Sequence, residues 1–143
     1  MKIEVDFEVI FKNKMPCIDL ETNLYSKKDI ILDSPKKNIS LDLTVDKKDQ
    51  LKIFFKNKCD HEDNVIRLKK LKIDDIDLQH FIYEGKFYPA YNKEWYDKQV
   101  IKPPLYYKPG TEMRHTGVWI LNIRTPIWKM IMDQWLKDEG KNA

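Results

Sequence analysis

Cysteine, glycine and arginine are all scarce in this chain, and each scarcity closes off a class of protein. Two cysteines, Cys17 and Cys59, in 143 residues allow at most one bridge. Neither stands at CxxC or Cys-His spacing, so zinc is not indicated and both read as reduced structural thiols. Only four glycines are present, none in a phosphate-cradling loop, and there is no HExxH. The three histidines, His61, His80 and His115, fall on separate segments at no metal-ligand or Ser-His spacing. No catalytic residue is therefore assigned, and an enzyme is not expected. Arginine is limited to Arg67, Arg114 and Arg124, and the 26 basic residues are interspersed with 23 acidic ones for a net charge of +3. Nucleic acid needs a one-sided basic field rich in forked phosphate contacts, so it is not an expected partner. No hydrophobic run approaches the roughly 20 residues of a membrane span, and the N-terminus MKIEVDFEVIF alternates where a signal peptide would be continuously apolar. Neither a membrane partner nor an export signal is expected.

What the chain does have is period-two alternation. Ile3, Val5, Phe7, Val9 and Phe11 share one face of a first strand, against Glu4, Asp6, Glu8 and Ile10. A turn at Asn13, Lys14 and Pro16 leads to a second strand at Ile18 and Leu20, and the two arms are expected to form a hairpin. A short strand at Ile30, Ile31 and Leu32 follows, then a breaker at 33–38. Ile39, Leu41, Leu43 and Val45 alternate again, and the charged turn at 46–49 leads straight to Leu51, so these strands read as antiparallel neighbours. Leu51 to Leu78, LKIFFKNKCDHEDNVIRLKKLKIDDIDL, reads as strand, acidic loop, strand. Leu68 and Leu71 cannot share a face of an unbroken strand, which predicts a bulge at Lys69-Lys70. Asp74, Asp75 and Asp77 read as a solvated strand turn. With five or six strands by Ile73 and no helical pattern, the core is an antiparallel β architecture of two sheets or a closed barrel.

Beyond Leu78 the composition changes. Phe81, Tyr83, Phe87, Tyr88, Tyr91, Trp95, Tyr96, Tyr106 and Tyr107 crowd a segment interrupted by Pro89, Pro103 and Pro104. An excursion this long inside a compact domain is usually functional or partner-facing. Packing of the rings on a sheet is the default use; a protein interface and a sugar platform are the others. The candidate binding residues are Tyr88, Tyr91, Trp95 and Tyr96, as a partner or glycan surface. Val118, Ile120 and Asn122 then alternate with Trp119, Leu121 and Ile123, a strand apolar on both faces and so central or covered on both sides. Thr125-Pro126 starts a helix, and Ile127, Ile131 and Trp135 form its apolar stripe, with Trp135 expected as the packing anchor.

The acidic loop supplies clustered oxygen donors at Asn57, Asp60, Glu62 and Asp63, suited in hardness to calcium, although Lys56 and Lys58 flank it. The pattern from Leu51 to Leu78 resembles calcium-dependent, xylan-binding carbohydrate-binding modules of the β-sandwich type. Joined to the ending GVWILNIRTPIWKMIMDQW, it resembles small structural proteins of tailed bacteriophages that share the jelly-roll. The resemblance covers about a third of the chain, and implies calcium carboxylates at Asp60, Glu62 and Asp63 and no catalysis.

The expectation is a mainly β protein, a single antiparallel jelly-roll sandwich over residues 1–143, with the aromatic excursion at 81–117 and one short C-terminal helix at 126–138. A chain this long buries roughly 68–70% of its unfolded surface, enough for a core without staples. The first functional reading is a non-enzymatic bacteriophage virion protein, decorating the capsid or associated with the tail. It would be made in the host cytoplasm and contact other virion proteins or further copies of itself. The alternative is a carbohydrate-binding module, with or without calcium, adhering to host or environmental glycans.

Overall fold

A computed structural model describes residues 1–56, 64–78 and 80–142, the side chains of 139–142 excepted. Ten strands follow in order: β1 (Lys2–Ile10), β2 (Cys17–Glu21), β3 (Ser26–Ile31), β4 (Lys36–Asp42), β5 (Lys48–Lys56), β6 (Val65–Ile73), β7 (Ile76–Asp77), β8 (Lys86–Pro89), β9 (Glu112–Met113) and β10 (Gly117–Arg124). Two helices join them, α1 (Lys93–Asp97) and α2 (Ile127–Asn142), with a 3-10 turn at Phe81–Glu84. The strands form two antiparallel sheets packed as a sandwich. The first runs β4-β1-β6-β7, with β9 also on β6; the second runs β3-β2-β5-β10-β8.

The alternation seen in sequence becomes the two inner faces. Ile3, Val5, Phe7 and Val9 of β1 meet Leu51, Ile53 and Phe55 of β5 and Trp119, Leu121 and Ile123 of β10 in one buried cluster. The bulge forms where expected: the β1–β6 register passes from Asp6 opposite Lys70 to Phe7 opposite Leu68, which leaves Lys69 unpaired and lets both Leu68 and Leu71 point inward. Asp74 and Asp75 both take positive φ, the left-handed pair of a two-residue hairpin between β6 and β7.

Strand pairing differs from the sequence expectation at two places, and a third pair of consecutive strands also separates. β1 and β2 are not a hairpin, β4 and β5 are not neighbours, and β5 and β6 do not pair; in each case the two strands lie in different sheets. Alternation tells which face a residue takes, not which strand stands beside it. A connection of five to eight residues spans the roughly 10 Å between sheets as easily as it turns a hairpin. Leu43, buried in the β4–β5 connection, makes the crossing favourable by entering the core.

The helix start is tied down differently from expectation as well. The Thr125 hydroxyl donates to the Asp46 carbonyl at 3.2 Å, and its amide donates to Lys47 at 3.0 Å, which anchors α2 to the β4–β5 crossing. The buried face of α2 is Ile127 and Met130, with Ile131 partly covered. Trp135 is 55% exposed and is not the packing anchor; Trp128, Met132 and Leu136 are exposed with it.

The outer face of the first sheet is a charge ladder. Glu4, Asp6 and Glu8 on β1 stand opposite Lys72, Lys70 and Arg67 on β6. Arg67 donates to Glu8 at 2.6 Å and to Glu112 at 3.0 Å, and these hydrogen bonds are the main reason both carboxyls titrate below the usual carboxylate range. A lowered folded-state pKa contributes stability that is present above the unfolded value of about 4.3 and is lost as pH falls through the folded value. Arg67→Met should therefore lower the urea midpoint modestly at pH 7, the groups being half exposed, and the deficit should shrink between about pH 5 and pH 3. A deficit of equal size at both ends of that range would mean that Arg67 acts through packing alone.

Candidate functional site

The second sheet presents a different outer face. Residues directly opposite in an antiparallel pair project to the same side, so the register sorts the outward side chains into rows. Phe54, Val118 and Tyr88 make one row across β5, β10 and β8; Lys52, Ile120 and Lys86 make the next. Gln50 and Asn122 follow, joined by a 3.2 Å hydrogen bond, and then Lys48 and Arg124. Apolar rings thus lie beside amides and cations on one strip. Val118 and Ile120 are only partly covered, so β10 is central but has one face turned toward this strip.

Part of the aromatic excursion is built into this sheet. Although prolines were expected to interrupt any regular element there, Lys86–Pro89 pairs with β10 as the edge strand β8. Tyr107 then pairs with Phe87, the amides donating at 2.8 and 3.0 Å in the two directions. That pairing sets Tyr106 beside Tyr88, with ring centroids 5.6 Å apart and planes inclined by 43°. Lys86 Nζ lies 4.7 Å from the Tyr106 ring. The chain returns so closely that a Cβ on Gly110 would lie 2.5 Å from the Phe87 nitrogen, which only glycine allows.

A second ring cluster adjoins the first through Tyr107. Asn92 caps α1 by accepting from the Trp95 amide at 3.1 Å. The cap places Trp95 and Tyr96 against Tyr91, with centroids 5.8 and 5.5 Å away and planes within 27° and 26° of parallel. The Tyr91 hydroxyl donates to the Pro104 carbonyl at 2.7 Å. Burial first, and then its hydrogen bond with Tyr107, pushes the Tyr91 pKa up to about 12, so it is neutral across the physiological range. Lys102 donates to the Tyr96 and Asp97 carbonyls at 2.7 and 2.9 Å and lies 5.0 Å from the Tyr96 ring.

Of the four aromatic candidates, Tyr91, Trp95 and Tyr96 are thus brought together, while Tyr88 joins Tyr106 instead. Tyr106, Lys86 and Phe54 were missed as site residues. A signal for Lys86 exists: it and Tyr88 alternate with Phe87 and Pro89 at strand period. The calcium candidates Asp60, Glu62 and Asp63 lie outside the described residues. Among the described residues no three His, Cys, Asp or Glu side chains gather to hold a metal, and no helix is long and apolar enough to cross a membrane. Cys17 is a buried free thiol. Next to Lys86, where β8 ends and β10 continues, a cleft of about 360 Å³ opens between the 3-10 turn and α2. Its rim carries the Glu84–Lys108 pair at 3.1 Å and the Arg124–Asp133 pair.

The architecture is that of a β-sandwich of two antiparallel sheets. No protein-family model matches the chain, and no curated protein matches it. Among solved structures, "vCBM60 in complex with galactobiose" superposes with a TM-score of 0.57 at 8% sequence identity, covering 86% of this chain and 100% of that chain. At that identity the likeness is one of fold.

Proposed function

We propose that this protein is a non-catalytic carbohydrate-binding module that holds a glycan on the outer face of its second sheet. The observation that carries this reading is the exposed Tyr88–Tyr106 pair on the same strip as the Gln50–Asn122 amides. A saccharide has an apolar C–H face and a rim of hydroxyls. Tyrosine rings take the first, while amides and lysines take the second. The fold likeness to a carbohydrate-binding module adds weight to this reading over the virion one. The virion reading has only the exposed row Trp128, Met132, Trp135 and Leu136 on α2 behind it, and no comparison supports it.

Affinity electrophoresis of the intact chain through gels containing soluble polysaccharides, followed by calorimetry on those that retard it, tests the proposal. Tyr106→Ala and Tyr88→Ala should each weaken binding by about tenfold, the worth of one well-placed aromatic contact. Their urea midpoints should stay near wild type, because both rings are substantially exposed. Retardation by no polysaccharide, or undiminished binding by the double variant, would count against it.

A further inference from the structure

Resting on that reading, we infer that the glycan is acidic and carries carboxylates, as in a uronic-acid polysaccharide. The two outer faces of the sandwich differ in how many of their cations are paired. On the first sheet each β1 carboxylate stands opposite a β6 cation, and Lys2, Arg67, Lys69 and Lys70 each lie within 4.0 Å of a carboxylate, with Lys36 and Lys72 left without one among the described residues. On the second sheet the cations outnumber the acids that could neutralise them. Lys56 is taken up by Asp19 at 2.9 Å and Asp29 at 3.1 Å, and Arg124 by Asp133. Lys48, Lys52 and Lys86 have no carboxylate within 4.0 Å among the described residues. Glu21 stands opposite Lys52 in register but accepts from the Ser26 hydroxyl at 3.2 Å.

The placement of these lysines matters as much as their number. Lys52 and Lys86 flank Ile120, one on each neighbouring strand, so their backbones stand roughly 10 Å apart. Their row lies between the ring row, Phe54 to Tyr88, and the amide pair Gln50–Asn122. A sugar ring lying on Tyr88 and Tyr106 would direct its substituents toward this cationic row. Lysine is a compact point charge on a flexible stem, suited to a carboxylate that varies in position along a polymer. The strip is also short of the forked arginine contacts that nucleic acid favours, its one guanidinium being held by Asp133.

The test compares polygalacturonate with its fully methyl-esterified form, which keeps the rings and removes the charge, and adds dextran sulfate and a single-stranded oligonucleotide. Polygalacturonate should bind about tenfold more tightly than the ester, and the advantage should fade as salt rises from roughly 0.05 to 0.5 M. Lys52→Met/Lys86→Met should lose about tenfold on polygalacturonate and little on the ester, with an unchanged melting temperature. The same changes at Lys36 and Lys72 on the first sheet should leave binding intact. Equal binding of polygalacturonate and ester would overturn this inference and leave the carbohydrate reading standing. Binding of no polysaccharide would overturn both. Dextran sulfate or the oligonucleotide binding as tightly as polygalacturonate would reduce the strip to a nonspecific basic surface and overturn the carboxylate assignment.

Discussion

Replacing Trp119 with alanine is expected to cost about 3–5 kcal/mol, a large part of the 5–15 kcal/mol by which a domain of this size is held folded. The indole is fully buried on β10 between Ile53 of β5 and Phe87 of β8. Both neighbouring strands hold it in register, so the cavity left behind could not collapse easily. Urea unfolding should show a sharply lower midpoint at an unchanged slope. Gly85 supplies an internal check. A Cβ there would lie 2.3 Å from Trp119 Cε2 and 2.4 Å from Cζ2 and Nε1. The indole cannot retreat from such an overlap inside a closed core. Gly85→Ala should therefore destabilise by about 1–3 kcal/mol in the wild type, and by distinctly less in a Trp119→Phe background, where the smaller ring withdraws. Strict additivity of the two changes would show that the glycine is needed for some other reason.

The second large effect concerns α2 and reverses the sequence expectation. Met130→Ala should cost about 2–4 kcal/mol, because the side chain is in the core cluster, whereas Trp135→Ala should fall within about 0.5 kcal/mol of wild type. An isolated 16-residue helix is marginal in water, so its order depends on docking. Docking involves the first turns, where Ile127 and Met130 enter the core and Thr125 is tied to Asp46. Comparative urea unfolding of the two variants settles it. A midpoint that drops for Trp135→Ala and holds for Met130→Ala would mean that the helix packs by its other face.

Binding of an acidic glycan would engage the reverse side of the Trp119 core. The strip that carries Lys52, Lys86 and Tyr88 is the outer side of the strands whose inner side grips Trp119. A core variant that loosens β8 should thus disturb the strip as well, and the exposed tyrosine and lysine changes are the ones that separate binding from stability.

The sequence by itself determined β1, β5 and β6 and their inner faces, since a period of two is a local property: Val5, Ile53 and Leu71 are inward wherever their strands are placed. It also determined the bulge at Lys69, because Leu68 and Leu71 have the wrong spacing for an unbroken strand. The candidate rings were partly legible because they are close in sequence, with Trp95 and Tyr96 on the capped helix α1 and Tyr91 just before its cap. Only the tertiary structure decided which strands are neighbours, because a short polar connection can either turn back within a sheet or cross to the other one. That choice separates β1 from β2 and β5 from β6, sets β8 against β10, and brings Tyr106 to Tyr88 across 18 residues of chain. It also sorts an evenly mixed set of lysines into one face where most meet a carboxylate and one where Lys48, Lys52 and Lys86 do not, since cross-strand partners, unlike alternation, are a property of the assembled sheet.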